Sequence, residues 1–249
     1  MKRIFILFLS VIMFLSSISA TLAATKKVKK KKTKHKIEFV TKDKFILVGD
    51  YYIPREKTDK PLIILVHSYA MSSIYWATLA ENLRLKGYNV LAMDLRGHGR
   101  SVYNENLKYK SRYGFKAAQW QKLPLDIADS INYIKNTYPK VNTTDTIMVG
   151  ADIGAISSVL AANMLKTPSK KLVLISPLYE FKGLKMPIRT PRLNNSKVLI
   201  LLSSTDKLLL NLTLKDKPII KQYPKGGPGM GLIKQNPAAV NDIINFIVN

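Results

Sequence analysis

The sequence predicts an α/β fold in which a mainly parallel sheet carries helices on both faces. Three observations point to it. Short, unbroken apolar runs such as PLIILVH at 61–67 alternate with segments of helical spacing, as strands buried on both faces alternate with amphipathic helices. No internal repeat divides the chain, and no stretch rich in Pro, Gly or Ser marks a linker, so residues 37–249 read as one domain. The composition suits a packed core: 47% of the 249 residues are hydrophobic and 22% charged, values of a globular chain.

The elements follow in order. Met1-Lys2-Arg3, an apolar run from Ile4 to Leu15 and a small-residue exit through Ala24 have the pattern of a secretory signal peptide. Residues 1–24 are therefore expected to be a signal peptide cleaved after Ala23 or Ala24, and the protein to be exported, periplasmic or secreted. Left uncleaved, the run would act as a membrane anchor. Residues 25–36 (TKKVKKKKTKHK) are expected to be a disordered lysine-rich tail, either merely solvated or tethering the protein to an anionic surface.

Residues 37–40 and 45–53 read as a hairpin around Lys42-Asp43-Lys44, and 61–67 as a strand buried on both faces. The spacing of Trp76, Leu79, Leu83 and Leu85 predicts a helix over 75–86 that Gly87 closes. A buried strand follows at 88–93. Pro124 opens a helix over 124–138 that aligns Ile127, Ile131, Ile134 and Tyr138 on one face. Strand 145–150, helix 153–165, strands 171–176, 197–203 and 218–223, and helix 237–248 complete the series. The polar-aromatic stretch 98–116 and the Pro-containing stretch 177–196 read as irregular connections, too short for a separate lid.

Charge and residue counts exclude several chemistries. Forty Lys and Arg oppose 16 Asp and Glu, a net charge of +24, and ten of the basic residues fall in positions 1–36, leaving +14 for the rest. Such a surface attracts anions. With no recognised nucleic-acid fold motif, no specific nucleic-acid partner is expected. Without cysteine there is no disulfide, thiolate zinc site, iron–sulfur cluster or thiol nucleophile. No metal-ligand cluster or phosphate-binding loop appears, so no metal or organic cofactor is expected. The chain has three histidines, His35, His67 and His98, and none beyond residue 98.

Four segments, taken in order, resemble the α/β-hydrolase superfamily. LVHSYAMSS (65–73) stands where that family has its oxyanion loop, and AMDLRGHGRS (92–101) is similar to its Asp-x-Arg-Gly-His-Gly-x-Ser loop. VGADIGA (149–155) matches the nucleophile elbow, Gly-x-nucleophile-x-Gly. LLSSTDKLL (201–209) puts Asp206 where the family carries its triad acid. ISPLYEFKGL (175–184) and YPKGGPGMGLI (223–233) resemble the dienelactone-hydrolase-like and small carboxylesterase branch. The resemblance covers residues 37–249 and implies an α/β-hydrolase fold without a large cap domain, related to esterase-like serine hydrolases.

An elbow residue between a parallel strand and a helix stands at the carboxyl edge of the sheet, where open α/β sheets bind ligands. The N–H of Ile153 opens the helix and faces the same point. A second N–H comes from the loop after the third strand, that of Tyr69 or, in competition, of Ser68. Together the two donors would make an oxyanion hole. Gly150 and Gly154 permit the tight turn.

Two positions depart from the pattern. The elbow residue is Asp152 rather than Ser, and the position matching the family's catalytic His is Pro228. The expectation is a catalytically impaired hydrolase relative that binds a small acyl or carboxylate ligand or a partner. The alternative is an active hydrolase acting on ester, carbon–halogen or epoxide bonds with Asp152 as nucleophile. A buried Asp152 facing both donors would occupy the hole itself. Asp206 is either the surviving acid or a helix N-cap before Lys207, with Glu180 a lesser alternative for the acid. His67 and His98 are expected to organise loops, Asp94 and Arg96 to brace a loop as a pair, and Tyr103, Tyr109, Tyr113, Phe115 and Trp120 to flank the pocket mouth.

Overall fold

The computed structural model describes residues 33–249 except 168, 188–189 and 208–213. The segment read as a signal peptide and most of the lysine tail lie outside the described residues. β1 (Lys34–Val40) and β2 (Phe45–Tyr52) form the antiparallel hairpin, and β2 also pairs antiparallel with β4 (Val90–Asp94). β3 (Pro61–Val66), β6 (Asn142–Ala151), β7 (Lys171–Ile175), β10 (Lys197–Ser203) and β11 (Ile219–Tyr223) join β4 in parallel, in the order β1-β2-β4-β3-β6-β7-β10-β11. The two-residue β5 (Tyr103–Asn104) adds to β2.

One boundary needs correcting. Lys34, His35 and Lys36, read as the end of a disordered tail, belong to β1 and pair with Tyr52, Tyr51 and Asp50. Alternation explains it. Ile37 is buried, while Lys34 meets the Asp50 carboxylate at 3.1 Å and lies 5.4 Å from the Tyr52 ring centroid. Lysines on the solvent side of an edge strand are compatible with pairing.

Helices cover both faces. α1 (Ala77–Leu85) follows a 3-10 turn at Ser73–Trp76 and ends before Gly87, whose φ of 87° allows the chain to reverse. α2 (Ala117–Trp120) is a single turn, and α3 (Leu123–Thr137) and α4 (Ile153–Met164) are the long helices of one face. α5 (Met230–Gln235) and α6 (Pro237–Val248) close the chain. Leu62, Ile64 and Val66 of β3 pack with α3 and α4, whereas Ile63 and Leu65 pack with α1 and α6. That alternation gives one hydrophobic layer on each side of the sheet. The connection 177–196 contains a small hairpin, β8 (Glu180–Phe181) and β9 (Leu184–Lys185), turned by Lys182 and Gly183 at positive φ. Among the described residues no helix is long and apolar enough to cross a membrane.

Candidate active site

The turn between β6 and α4 is forced by close packing. A methyl group on Gly150 would lie 2.3 Å from the Gly154 carbonyl oxygen, and one on Gly154 would lie 2.3 Å from that of Val66. Only glycine lets the helix start this close to β3. Asp152, between them, takes φ 57° and ψ −116°, a conformation that costs a non-glycine residue energy and persists where the surroundings impose it. Its own N–H donates to the Ile175 carbonyl at 2.9 Å, which ties the turn to β7.

The Asp152 carboxylate turns back toward the third strand. The Tyr69 N–H donates to its Oδ2 at 3.3 Å, and the Ile153 amide, which makes no capping hydrogen bond to the carboxylate, still favours its ionised form. Burial is the main cause that pushes this carboxyl up to about 6, and the negative charge of Asp206 adds to it against the pull of the two amides. Asp206 sits in the turn after β10, where its Oδ2 accepts from the Ser203 N–H at 2.7 Å and the Ser176 hydroxyl at 2.6 Å. Ser176, at φ 44°, ends β7 as Asp152 ends β6. The helix proposed to follow Asp206 falls largely on residues outside the described set. Glu180 is instead an exposed member of β8 and faces Lys185 at 3.6 Å.

The loop before α5 reaches the same place. Gly229 has φ 60°, and a methyl group on it would lie 2.4 Å from Ser68 Oγ and 3.3 Å from Asp152 Cβ. The Met230 N–H donates to Ser68 Oγ at 3.1 Å. Ser68 thus ties the β3 loop to the α5 loop, while the Tyr69 N–H is the one that reaches Asp152. Pro228 is exposed, and Gly229, which the sequence reading passed over, is the residue against the elbow.

The two nearby histidines are committed to backbone. His67 donates from Nδ1 to the Ser68 carbonyl at 2.7 Å and accepts at Nε2 from the Leu95 N–H at 3.0 Å, and burial pushes it down to about 4. His98 donates from Nδ1 to the Arg96 carbonyl at 3.0 Å, burial pushes it down to about 3, and its Nε2 has no hydrogen-bond partner among the described residues. His35 lies in β1, opposite Tyr51.

Asp94 and Arg96 do brace loops, but not as a pair. Asp94 accepts from the Ser73 N–H and from Arg100, through its N–H at 3.1 Å and its Nε at 2.7 Å. Arg96 is buried against Asp126 of α3 and Asp43 of the β1–β2 turn, and its guanidinium holds the Asp43 carboxyl down to about 2. These partners are 30 and 53 residues from Arg96 in sequence, a distance no local motif records.

Of the aromatic residues, Trp120 is fully buried and Phe115 partly so. They join Tyr69, His98 and Phe181 in one cluster, with neighbouring ring centroids 5.2–6.0 Å apart. Lys182, at the β8–β9 turn, lies 5.2–5.6 Å from the Trp120, Tyr69 and Phe181 centroids, within cation–π range. Tyr103, Tyr109 and Tyr113 are exposed. Tyr109 and Phe115 line a separate cavity of about 540 Å³ that also touches Arg96 and Asp43.

Residues 57–225 match the family described as serine aminopeptidase, S33. Among solved structures, the chain resembles the Pyrococcus furiosus esterase Pf2001 with TM-score 0.61 at 18% identity, over 86% of this chain and 89% of that one. The α/β hydrolase GrgF from Penicillium sp. sh18 gives TM-score 0.61 at 14% identity, over 86% and 97%. A hydrolase from Pseudomonas aeruginosa PA01 gives TM-score 0.60 at 12% identity, over 86% and 98%. At such identities the likeness is one of fold. No curated protein matches the chain.

Proposed function

The chain belongs to the serine aminopeptidase S33 family, and from that premise we propose that it is an exported, catalytically impaired relative of esterase-like hydrolases that binds a small acyl or carboxylate ligand. One observation carries the reading. The elbow carboxylate accepts the Tyr69 N–H at 3.3 Å, one of the two donors that would otherwise stabilise a developing oxyanion, and it stands beside the other, the Ile153 amide that opens the helix. A negative charge at that point opposes ester hydrolysis.

The missing base supports the same conclusion. Turnover of an ester formed on Asp152 needs a group to activate water, and His67 and His98 are buried, neutral and bonded to backbone. Pro228 stands at the position of the family's catalytic His, and Gly229 offers no side chain against the elbow. Asp206 remains oriented by Ser176 and Ser203, but it has no imidazole to orient. A carboxylate ligand would meet less repulsion once Asp152 is protonated. Its affinity is therefore expected to rise as pH falls through about 6.

The test is an assay of short-chain nitrophenyl esters and haloalkanes with wild type, Asp152→Asn and the double variant Asp152→Ser with Pro228→His. The reading expects no multiple turnover by wild type and esterase activity in the double variant. Multiple turnover by wild type that is lost in Asp152→Asn would overturn it in favour of an Asp152 nucleophile.

A further inference from the structure

The amino edge of the sheet, opposite the elbow, has a charge pattern of its own. An exposed lysine precedes or opens each of the six parallel strands: Lys60 at β3, Lys86 at β4, Lys140 at β6, Lys170 at β7, Lys197 at β10 and Lys217 at β11. Around the first two, the β2–β3 loop and the end of α1 enclose a cleft of about 530 Å³. Five cations line it, Arg55, Lys57, Lys60, Arg84 and Lys86, with Glu56 as the one acid.

Two of these cations have structural roles. Arg84 is buried and bonded through Nε to Glu81 at 2.8 Å. Lys60 donates to the Lys86 carbonyl at 2.7 Å and lies 4.8 Å from the Tyr88 ring centroid. Arg55, Lys57 and Lys86 form no ion pair among the described residues. Leu85, which also lines the cleft, is 64% exposed.

The chain enters the fold at this corner. Thr33, the first described residue, accepts the Ile53 N–H at 2.8 Å, two positions before Arg55. Residues 25–32, which precede it in sequence, contain six lysines. Unpaired cations around an exposed leucine, in a chain whose preceding residues 25–32 are polybasic, match the interface of an anionic bilayer. There phosphates attract the cations and the headgroup boundary accepts the leucine. A nucleic acid would make use of the cations but not of the exposed leucine.

We propose that the amino edge of the sheet is a docking face for an anionic lipid bilayer. Arg55, Lys57 and Lys86 lie over the headgroups with Leu85 at the interface, and the elbow at the carboxyl edge faces away from the membrane.

The test measures co-sedimentation of the full chain with vesicles of phosphatidylcholine alone and of phosphatidylcholine with phosphatidylglycerol. The triple variant Arg55→Gln, Lys57→Gln, Lys86→Gln should bind the anionic vesicles about 100-fold more weakly, since each cation near such a surface is worth about 1 kcal/mol. A charge-matched variant, Lys108→Gln, Lys110→Gln, Lys116→Gln, should lose less than about fivefold, because those lysines follow β5 near the carboxyl edge. Leu85→Ser should weaken vesicle binding and leave binding to duplex DNA unchanged. Equal losses in the two triple variants, full binding by the first, or binding to duplex DNA tighter than to anionic vesicles would each overturn the proposal. Matching thermal melts of all variants confirm that the fold is intact.

Discussion

At the carboxyl edge of the sheet three charged groups are turned inward and held. Asp152 is held by the Tyr69 amide, Asp206 by Ser176 and Ser203, and Arg96 by Asp43 and Asp126. At the amino edge they are turned outward, and Arg55, Lys57 and Lys86 form no ion pair among the described residues. Each set does a different job for the molecule. Buried, bonded charges fix geometry, and removing one leaves its partner stranded. Exposed, unbonded charges contribute little to folding and act on partners at a distance.

The contrast is sharpest at Arg96. Arg96→Met should cost about 3–5 kcal/mol in urea denaturation, because Asp126 would stay buried without its cation. Gly154→Ala should cost about 3 kcal/mol in the same measurement, since the added methyl meets the Val66 carbonyl oxygen at 2.3 Å.

Asp152 makes the comparison depend on pH. Its carboxyl is raised to about 6 from an ordinary 3.8, so the protonated form is favoured in the fold. The associated stability is present below about pH 4 and lost as pH rises through about 6. Relative to Asp152→Asn, wild type should lose about 2–3 kcal/mol across that window. Denaturation of both proteins at a series of pH values checks the sign. Ser176→Ala removes one donor to Asp206 and should cost about 1 kcal/mol by thermal melting. The smallest effect belongs to the amino edge. The Arg55, Lys57, Lys86 triple variant should stay within about 0.5 kcal/mol of wild type, and a large loss would break the distinction between the two edges.

Much of the frame was legible in the sequence. The apolar runs at 61–67 and 88–93 became β3 and β4, because buried strands leave local signatures, and the resemblance of VGADIGA to a nucleophile elbow pointed to the turn between β6 and α4. What escaped was set by contacts distant in sequence. The partners of Arg96, the approach of Gly229 to Asp152 and the Ser176 hydroxyl on Asp206 depend on how separate elements meet. The β8–β9 hairpin escaped for another reason. With two residues in each strand it has too few positions for alternation to register, and its Lys182-Gly183 turn lies inside a segment that reads as irregular.

β11 ends the strand order, and among the described residues no strand of the sheet pairs with its far side. Ile219 and Ile220 are 51% and 48% exposed there, with the exposed Lys217 before them and Lys221, paired with Asp242 at 2.6 Å, after them. An open edge of this kind invites a strand from another copy of the chain. Two copies meeting edge to edge would bring their Lys217 side chains toward one another, a repulsion that reaches about 10 Å in 0.1 M salt and shortens as salt rises. Solubility is therefore expected to fall with rising ionic strength, as concentrated salt removes the guard on β11.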